Sequence, residues 1–570
     1  MPPTSRPADR TAAEEAAVRH RVLPGTSPRA ALALGLLIGF YLLALLVLAA
    51  LALLDVALAR GPGFTVVAVE GYLGSLAIAW CVVRVVLLSR GRGDGRDGPS
   101  GLSLTPQEQP ELWRRVRDLA ERVGTRPPGE IRVVPGANAM VREDVRWLGL
   151  AAGERRLFLG VALLIGLPED ELDAVLAHEL GHYAHDDTRL AGLVWALRSR
   201  LLHTVLTLQQ RAARQEAEEK AASAARAARR RAAGKPPPVT REPTRGPDHY
   251  LAVVFSAYAR LCLRLTEAVS RRQEYAADLM AARIAGRDTT AAALRRIPAL
   301  EAADDLYLST YARMGWAAGL LPPEGQFYGG LALLLADGTR RAELEAPAQE
   351  PLPEQSSPYD SHPLTADRIA ALEALPDDGR AARRVRRPAS AALRAPDGLL
   401  AELERVVLSP QALSMRRVPW SELPSQTRRA SWARGAEPLL RAMTQAAGAR
   451  GVTPPGGTHL GRLLDMIDHG LLYDIAGRLP RSEQAGRSSG RAAREFARTA
   501  FRSALRHLVL LAALDAGLCR WELCWAGPPV RQVAPDRLAE ALEEALDCAV
   551  ADPPDTAPLR ALLSGGAVLW

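Results

Sequence analysis

Cysteine is scarce in this chain, with five among 570 residues: Cys81, Cys262, Cys519, Cys524 and Cys548. So few and so scattered, they exclude a disulfide scaffold and fit a reducing compartment. Cys519 and Cys524 have no histidine close in sequence and read as buried helix residues. Aromatic residues make up only 5% of the chain, and the arginines are spread along it. Without stacking platforms or a recognition module, the net charge of +8 does not describe a nucleic-acid surface. It suits a protein lying against an anionic membrane, so a lipid bilayer is an expected partner and nucleic acid is not.

What is present is ordinary for a folded protein, with 48% apolar and 24% charged residues. The length admits two or three domains. Residues 1–28 are polar and rich in Pro and Arg, which predicts a disordered tail. Ala30 to Leu54 is an uncharged apolar run, roughly 37 Å long as a helix and able to cross a bilayer. It is too long for a signal peptide and lacks a clean cleavage site. After Gly61-Pro62-Gly63 comes a weaker apolar segment, Phe64 to Leu88, which carries Glu70 and Arg84. Together they predict a transmembrane hairpin over 29–90. Arg6, Arg10, Arg19, Arg21 and Arg29 precede it, Arg90, Arg92 and Arg96 follow it, and the loop offers only Arg60. The positive-inside rule then expects a multi-pass protein of the plasma membrane, with everything after residue 90 in the cytoplasm.

A Gly-rich linker leads to a domain over 101–375. Helix is expected at Pro106 to Val123 and strands at Ile131 to Pro135, Ala137 to Val141 and Arg155 to Leu159. A charged, Pro-rich insertion occupies 209–247. Residues 376–570 are Ala/Arg/Leu-rich segments separated by Pro and Gly. They predict an all-helical domain without a fixed repeat or catalytic motif, whose histidines 459, 469 and 507 read as packing or surface residues. The fold class expected is mainly α with a small β-sheet, followed by this all-α domain.

One stretch carries chemistry. His178-Glu179-Leu180-Gly181-His182 is an H-E-x-x-H motif in a helical run from Glu169 to Leu180. The spacing puts both imidazoles on one face, where they can hold one zinc ion (Zn2+), with Glu179 able to reach a water beside it. Leu172, Val175 and Leu176 give this helix a buried face. A catalytic zinc wants a third protein ligand. The metzincin pattern needs Gly at 185 and His at 188, but those positions hold His185 and Thr188, so that class is rejected. His185 lies a further turn along, and Asp187 reads as a brace for the motif helix. Downstream, Glu274 and Asp278 are four apart on one helical face. Such a pair can supply a metal ligand and a partner for a ligand imidazole, or can be a solvated carboxylate pair.

The motif, followed by Glu274-Tyr275-Ala276-Ala277-Asp278 and then by Ser361-His362-Pro363-Leu364-Thr365-Ala366-Asp367-Arg368, resembles the membrane-associated gluzincin peptidases. This is the family of HtpX, the CAAX prenyl proteases and the Oma-type peptidases. The resemblance covers about 104–375. It implies an α+β zincin-type domain and one zinc per chain, held by His178, His182 and Glu274. Asp278 would orient an imidazole, Glu179 would be the general base, and His362 or Arg368 would donate to the oxyanion. His362 could instead cap the zinc in a resting state. The substrate implied is a polypeptide, met along Ala137 to Val141 by strand addition, with membrane-protein quality control as the biological role. Members of the family usually carry further membrane helices between the motif and the glutamate. Here Arg198, Arg200 and His203 argue against a span at Leu190 to Leu208. Two other readings remain: a BlaR/MecR-like membrane signal transducer, which needs an extracellular sensor, and a non-catalytic helical scaffold with a vestigial zinc site. No oligomeric state is specified.

Overall fold

The computed structural model describes residues 27–60, 99–146, 151–184, 247–349, 363–380, 387–450, 458–480, 489–534 and 537–564, with parts of 72–83 and 205–227. The chain is mostly helical with small sheets. It divides into two compact units, Met1–Pro298 with Pro347–Arg394, and Ala299–Ala346 with Ala395–Trp570.

The first unit begins with α1 (Ser27–Arg60), one continuous helix over the first apolar run. Among the residues whose side chains are described, no helix is long and apolar enough to cross a membrane. The transmembrane hairpin expected over 29–90 is therefore unsupported. Only one apolar helix is described in full, and 64–88, where Glu70 and Arg84 break the apolar run, lies mostly outside the described residues.

A four-stranded sheet follows, built from β1 (Leu102–Leu104), β2 (Glu130–Val134), β3 (Ala139–Arg146) and β4 (Ala151–Gly160) in the order β1-β2-β4-β3. β1 and β2 are antiparallel, β2 and β4 parallel, and β3 and β4 antiparallel. The parallel pair needs a crossover connection, which puts β3 on the outer edge. Helix α2 (Pro110–Val123) starts on a proline and buries Leu112, Trp113, Val116, Leu119, Ala120 and Val123. That spacing is one face of a helix, and the Trp113 indole N–H donates to the Leu104 carbonyl of β1 at 3.1 Å. Within the sheet Ile131, Val133, Leu157 and Leu159 are fully buried.

β4 runs into α3 (Val161–Gly166) and then α4 (Glu169–Gly181), whose first turn holds Glu169, Asp170 and Glu171. Negative charge there opposes the positive end of the helix dipole. Leu172 and Leu176 are fully buried, while Val175 is only half-buried. The start of α4 is strapped by residues 387–392. The Glu169 N–H donates to the Arg387 carbonyl, and the Ala389 N–H to the Leu167 carbonyl, both at 2.8 Å. The remaining elements of this unit are α5 (Pro247–Ala285), α6 (Arg287–Leu306), which runs on into the second unit, and α7 (Thr365–Glu373).

In the second unit, segment 299–346 joins the C-terminal residues through aromatic packing. Tyr311 stacks on Trp525 with centroids 4.9 Å apart, and Trp420 meets Trp525 edge-on at 5.4 Å. Its helices include α8 (Pro396–Val407), α9 (Leu423–Arg450), α10 (His459–Asp468), α11 (Gly490–Asp515) and α12 (Leu538–Ala549). The last four share one apolar core around Leu439, Leu463, Phe501 and Leu546. The expectation of an all-α domain is corrected here. β5 (Arg520–Leu523) and β6 (Val530–Val533) form an antiparallel hairpin, and Leu320–Leu321 pairs in parallel with Arg416–Arg417. In β5 the exposed Arg520 and Glu522 alternate with half-buried Trp521 and Leu523, the period-two pattern of a strand. Cys519 and Cys524 flank β5 and are not helical.

Candidate metal centre

Two helices build the centre. α4 carries His178, Glu179 and His182 at its C-terminal end, and α5 lies across it with Glu274 and Asp278 one turn apart. Gly181 sets how closely they approach. A Cβ at this position would stand 3.3 Å from Met280 Cβ and 3.4 Å from Ala277 Cα, so glycine allows a helix contact in which even a methyl group would be tight.

The close approach brings the Glu274 carboxylate to both imidazoles. His178 Nε2 lies 3.5 Å from Oε2, and His182 Nε2 lies 3.6 Å from Oε1. The rings meet edge-on, centroids 4.8 Å apart. Donors bound about 2.0–2.2 Å from a tetrahedral zinc stand about 3.3–3.6 Å from each other. The two separations fall at that spacing, and two imidazole nitrogens with a carboxylate oxygen is a donor set zinc accepts. His178, Glu179 and His182 also form a group with one ligand atom each, all within 4.8 Å of one another. Glu179 thus sits beside the nitrogens, while Glu274 is the carboxylate placed against both.

Behind the ligands lies a buried charge network. His178 Nδ1 is 3.0 Å from Asp278 Oδ1, which faces the ring away from Glu274. Asp278 also accepts from Arg368, at 2.8 Å from Nε and 2.7 Å from Nη2. Arg368 Nη1 is 3.7 Å from Glu274 Oε2. Asp278, Glu274, His178 and Arg368 are all buried. Helix α7 supplies Arg368, anchored by Leu372 packing on Ala282 and Ala291. Burial alone lowers the basicity of the His178 ring, but the bonds to Asp278 and Glu274 outweigh it and lift its pKa to about 9. Burial raises the Asp278 carboxyl, and Arg368 and His178 then pull it below the ordinary aspartate value. The two shifts are the two sides of one ion-paired network: the carboxylates favour a cation at His178, and Arg368 with His178 favours an anion at Asp278.

Of the residues expected from sequence, His178, Glu179, His182, Glu274, Asp278 and Arg368 are brought together. His362, His185 and Asp187 lie outside the described residues. Sequence reasoning missed Tyr183, the residue after the motif. Its hydroxyl donates to the Val141 carbonyl on β3 at 2.8 Å, and the Arg155 guanidinium lies 4.8 Å from its ring centroid. Thr125 Oγ1 donates to the Tyr183 carbonyl at 2.8 Å. An aromatic following the second histidine was the one signal available. Glu171, buried and paired with Arg296 at 2.7 Å, is a second omission; it ties α4 to α6.

The comparisons agree with this geometry. Residues 106–375 match the Peptidase family M48. An HtpX homolog from Nostoc sp. (strain PCC 7120) is 28% identical over 237 residues, covering 40% of this chain and 70% of that protein. A protease HtpX from Xanthomonas campestris pv. campestris is 26% identical over 278 residues, covering 47% and 74%. CAAX prenyl protease 1 of Saccharomyces cerevisiae is 37% identical over 80 residues, only 14% of this chain and 17% of that protein. No solved structure matches. The chain carries a peptidase domain of family M48, whose members are zinc metalloproteases. Within that family it is of the HtpX and CAAX prenyl protease type.

Proposed function

We propose that this protein is a membrane-anchored zinc metalloendopeptidase. The observation that carries the reading is the placement of Glu274 against both motif imidazoles at tetrahedral spacing, with Glu179 alongside. His178, His182 and Glu274 would hold the ion. When bound, zinc supplies Lewis acidity toward a peptide carbonyl and makes a nearby water acidic. Glu179 takes the proton of the attacking water on its carboxylate and delivers it to the leaving amine. Asp278 fixes His178 through Nδ1, leaving Nε2 for the metal. Arg368 has two donors committed to Asp278, which favours a positioning role over donation to the oxyanion.

Membrane attachment is supported by α1, on which Leu42, Leu45, Leu46, Leu53, Leu54 and Val56 are exposed. Large apolar side chains in such a row are unfavourable in water and favourable in lipid. The arginines on both sides of 29–90 support a catalytic unit on the cytoplasmic side of the plasma membrane. Substrates are polypeptides, membrane proteins among them, in keeping with a quality-control role.

The test uses the full-length protein. One zinc per chain is expected by elemental analysis, with chelator-sensitive cleavage of a casein-like substrate and co-flotation with anionic vesicles. Glu179→Gln is expected to keep the zinc and lose at least a hundredfold in kcat. Glu274→Ala is expected to lose the zinc. Full activity in the first variant or unchanged zinc content in the second refutes the assignment.

A further inference from the structure

The free edge of the sheet beside the metal centre is closed at one point. Among the described residues β3 pairs only with β4 and is the last strand in the order. The Gly160 N–H donates to the Asn138 carbonyl at 2.7 Å, so Asn138 faces β4. Ala139 and Leu159 are partners in the same antiparallel register. Antiparallel pairs alternate between hydrogen-bonded and non-bonded positions. Met140 and Arg142 therefore face β4, and Ala139, Val141 and Glu143 turn their backbone groups toward the outer edge. The bond from the Tyr183 hydroxyl to the Val141 carbonyl, at 2.8 Å, fits this direction.

Tyr183 follows His182 directly, so its hydroxyl bond ties β3 to the residue beside the second motif histidine. The ring cannot easily swing away. Arg155 lies over it, and Arg155 is itself held by Glu143 at 3.2 Å and by Thr125 Oγ1 at 2.7 Å. Just beyond, the register shifts between Glu143 and Val145. Such a bulge locally disrupts the ladder, which resumes at Val145 and Arg146.

We propose that Tyr183 is a specificity-determining residue that ends the peptide-receiving edge of β3 at Val141. An extended substrate pairs with the outward groups of Ala139 and with the Val141 N–H. It gains no further backbone bond in that direction, because the next acceptor is taken. The protein therefore reads a short segment on one side of the scissile bond and is indifferent to residues beyond it. This rests on the peptidase reading above.

The experiment uses the zinc-loaded full-length enzyme and two series of quenched fluorescent peptides, each lengthened one residue at a time on one side of the scissile bond. In the wild type one series is expected to plateau, with the residue past the limit changing kcat/KM less than twofold. In Tyr183→Phe the same residue is expected to raise kcat/KM about fivefold through KM, the worth of one backbone hydrogen bond. A uniform loss at every length would mark Tyr183 as merely structural and overturn the inference, as would a wild-type series without a plateau. Zinc-dependent cleavage with identical length profiles sinks the inference alone. Absence of zinc-dependent cleavage from every peptide sinks the peptidase reading and the inference with it.

Discussion

Buried carboxylates in this chain meet two fates. Asp278 is bracketed by Arg368 and His178 and stays ionised despite its burial. Asp304, buried near the end of α6, has no cation among the causes of its shift. Burial pushes its carboxyl up to about 6, and the charges of Asp305 and Glu301 add to the rise. The sign of the effect follows from proton counting. Between about pH 4, where the unfolded chain releases this proton, and about pH 6, the native state binds more of it, so stability falls as pH rises. Above pH 6 the full cost is present, and below pH 4 it is gone. Asp304→Asn is therefore expected to raise stability at pH 8 by about 2–3 kcal/mol and to change nothing at pH 3.5. Urea unfolding at the two values checks this, and an equal shift at both would contradict it.

Among the elements, α4 and α5 were the most legible. Their motif residues repeat at three or four positions, which is local information, and both helices formed where that periodicity put them. Arg368 was legible only through the resemblance, since nothing near it in sequence announces a partner on α5. The Tyr183 bond to β3 was not legible. Its acceptor is a backbone carbonyl, which any residue offers, and the two positions are 42 residues apart. The hairpin of β5 and β6 escaped because two four-residue strands give too few alternations to outweigh the helical segments around them. The glycine in the motif has a readable purpose once α5 is known. Gly181→Val is expected to part the two helices and weaken zinc binding at least tenfold in a chelator competition, with far-ultraviolet circular dichroism unchanged. Wild-type affinity in that variant would remove the packing argument.

For the whole molecule, similarity and structure draw different outlines. The family match ends at residue 375, yet the first unit runs on to Arg394, and residues 387–392 satisfy backbone groups at the start of the motif helix. Segment 299–346 lies within the family match but packs with the C-terminal aromatics in the second unit. Apolar periodicity identifies which residues are buried, and it is silent on which helices they meet.

Helix α5 is the longest described element. From Tyr258 to Glu274 it rises about 24 Å. A Cβ on Gly39 of α1 would come within 2.7 Å of the Tyr258 hydroxyl, so at that end α5 rests against the apolar helix. This makes α5 a lever arm with its fulcrum at α1 and its load at the metal. A pivot of about two degrees at the fulcrum displaces the Glu274 end by nearly 1 Å over that length, several times what a zinc cage tolerates. Gly39→Leu, remote from every ligand, is accordingly expected to loosen zinc in a chelator competition, and an unshifted affinity would show the arm to be uncoupled. Through such an arm, a displacement of the apolar helix would be felt as a change in the bite of the Glu274 carboxylate.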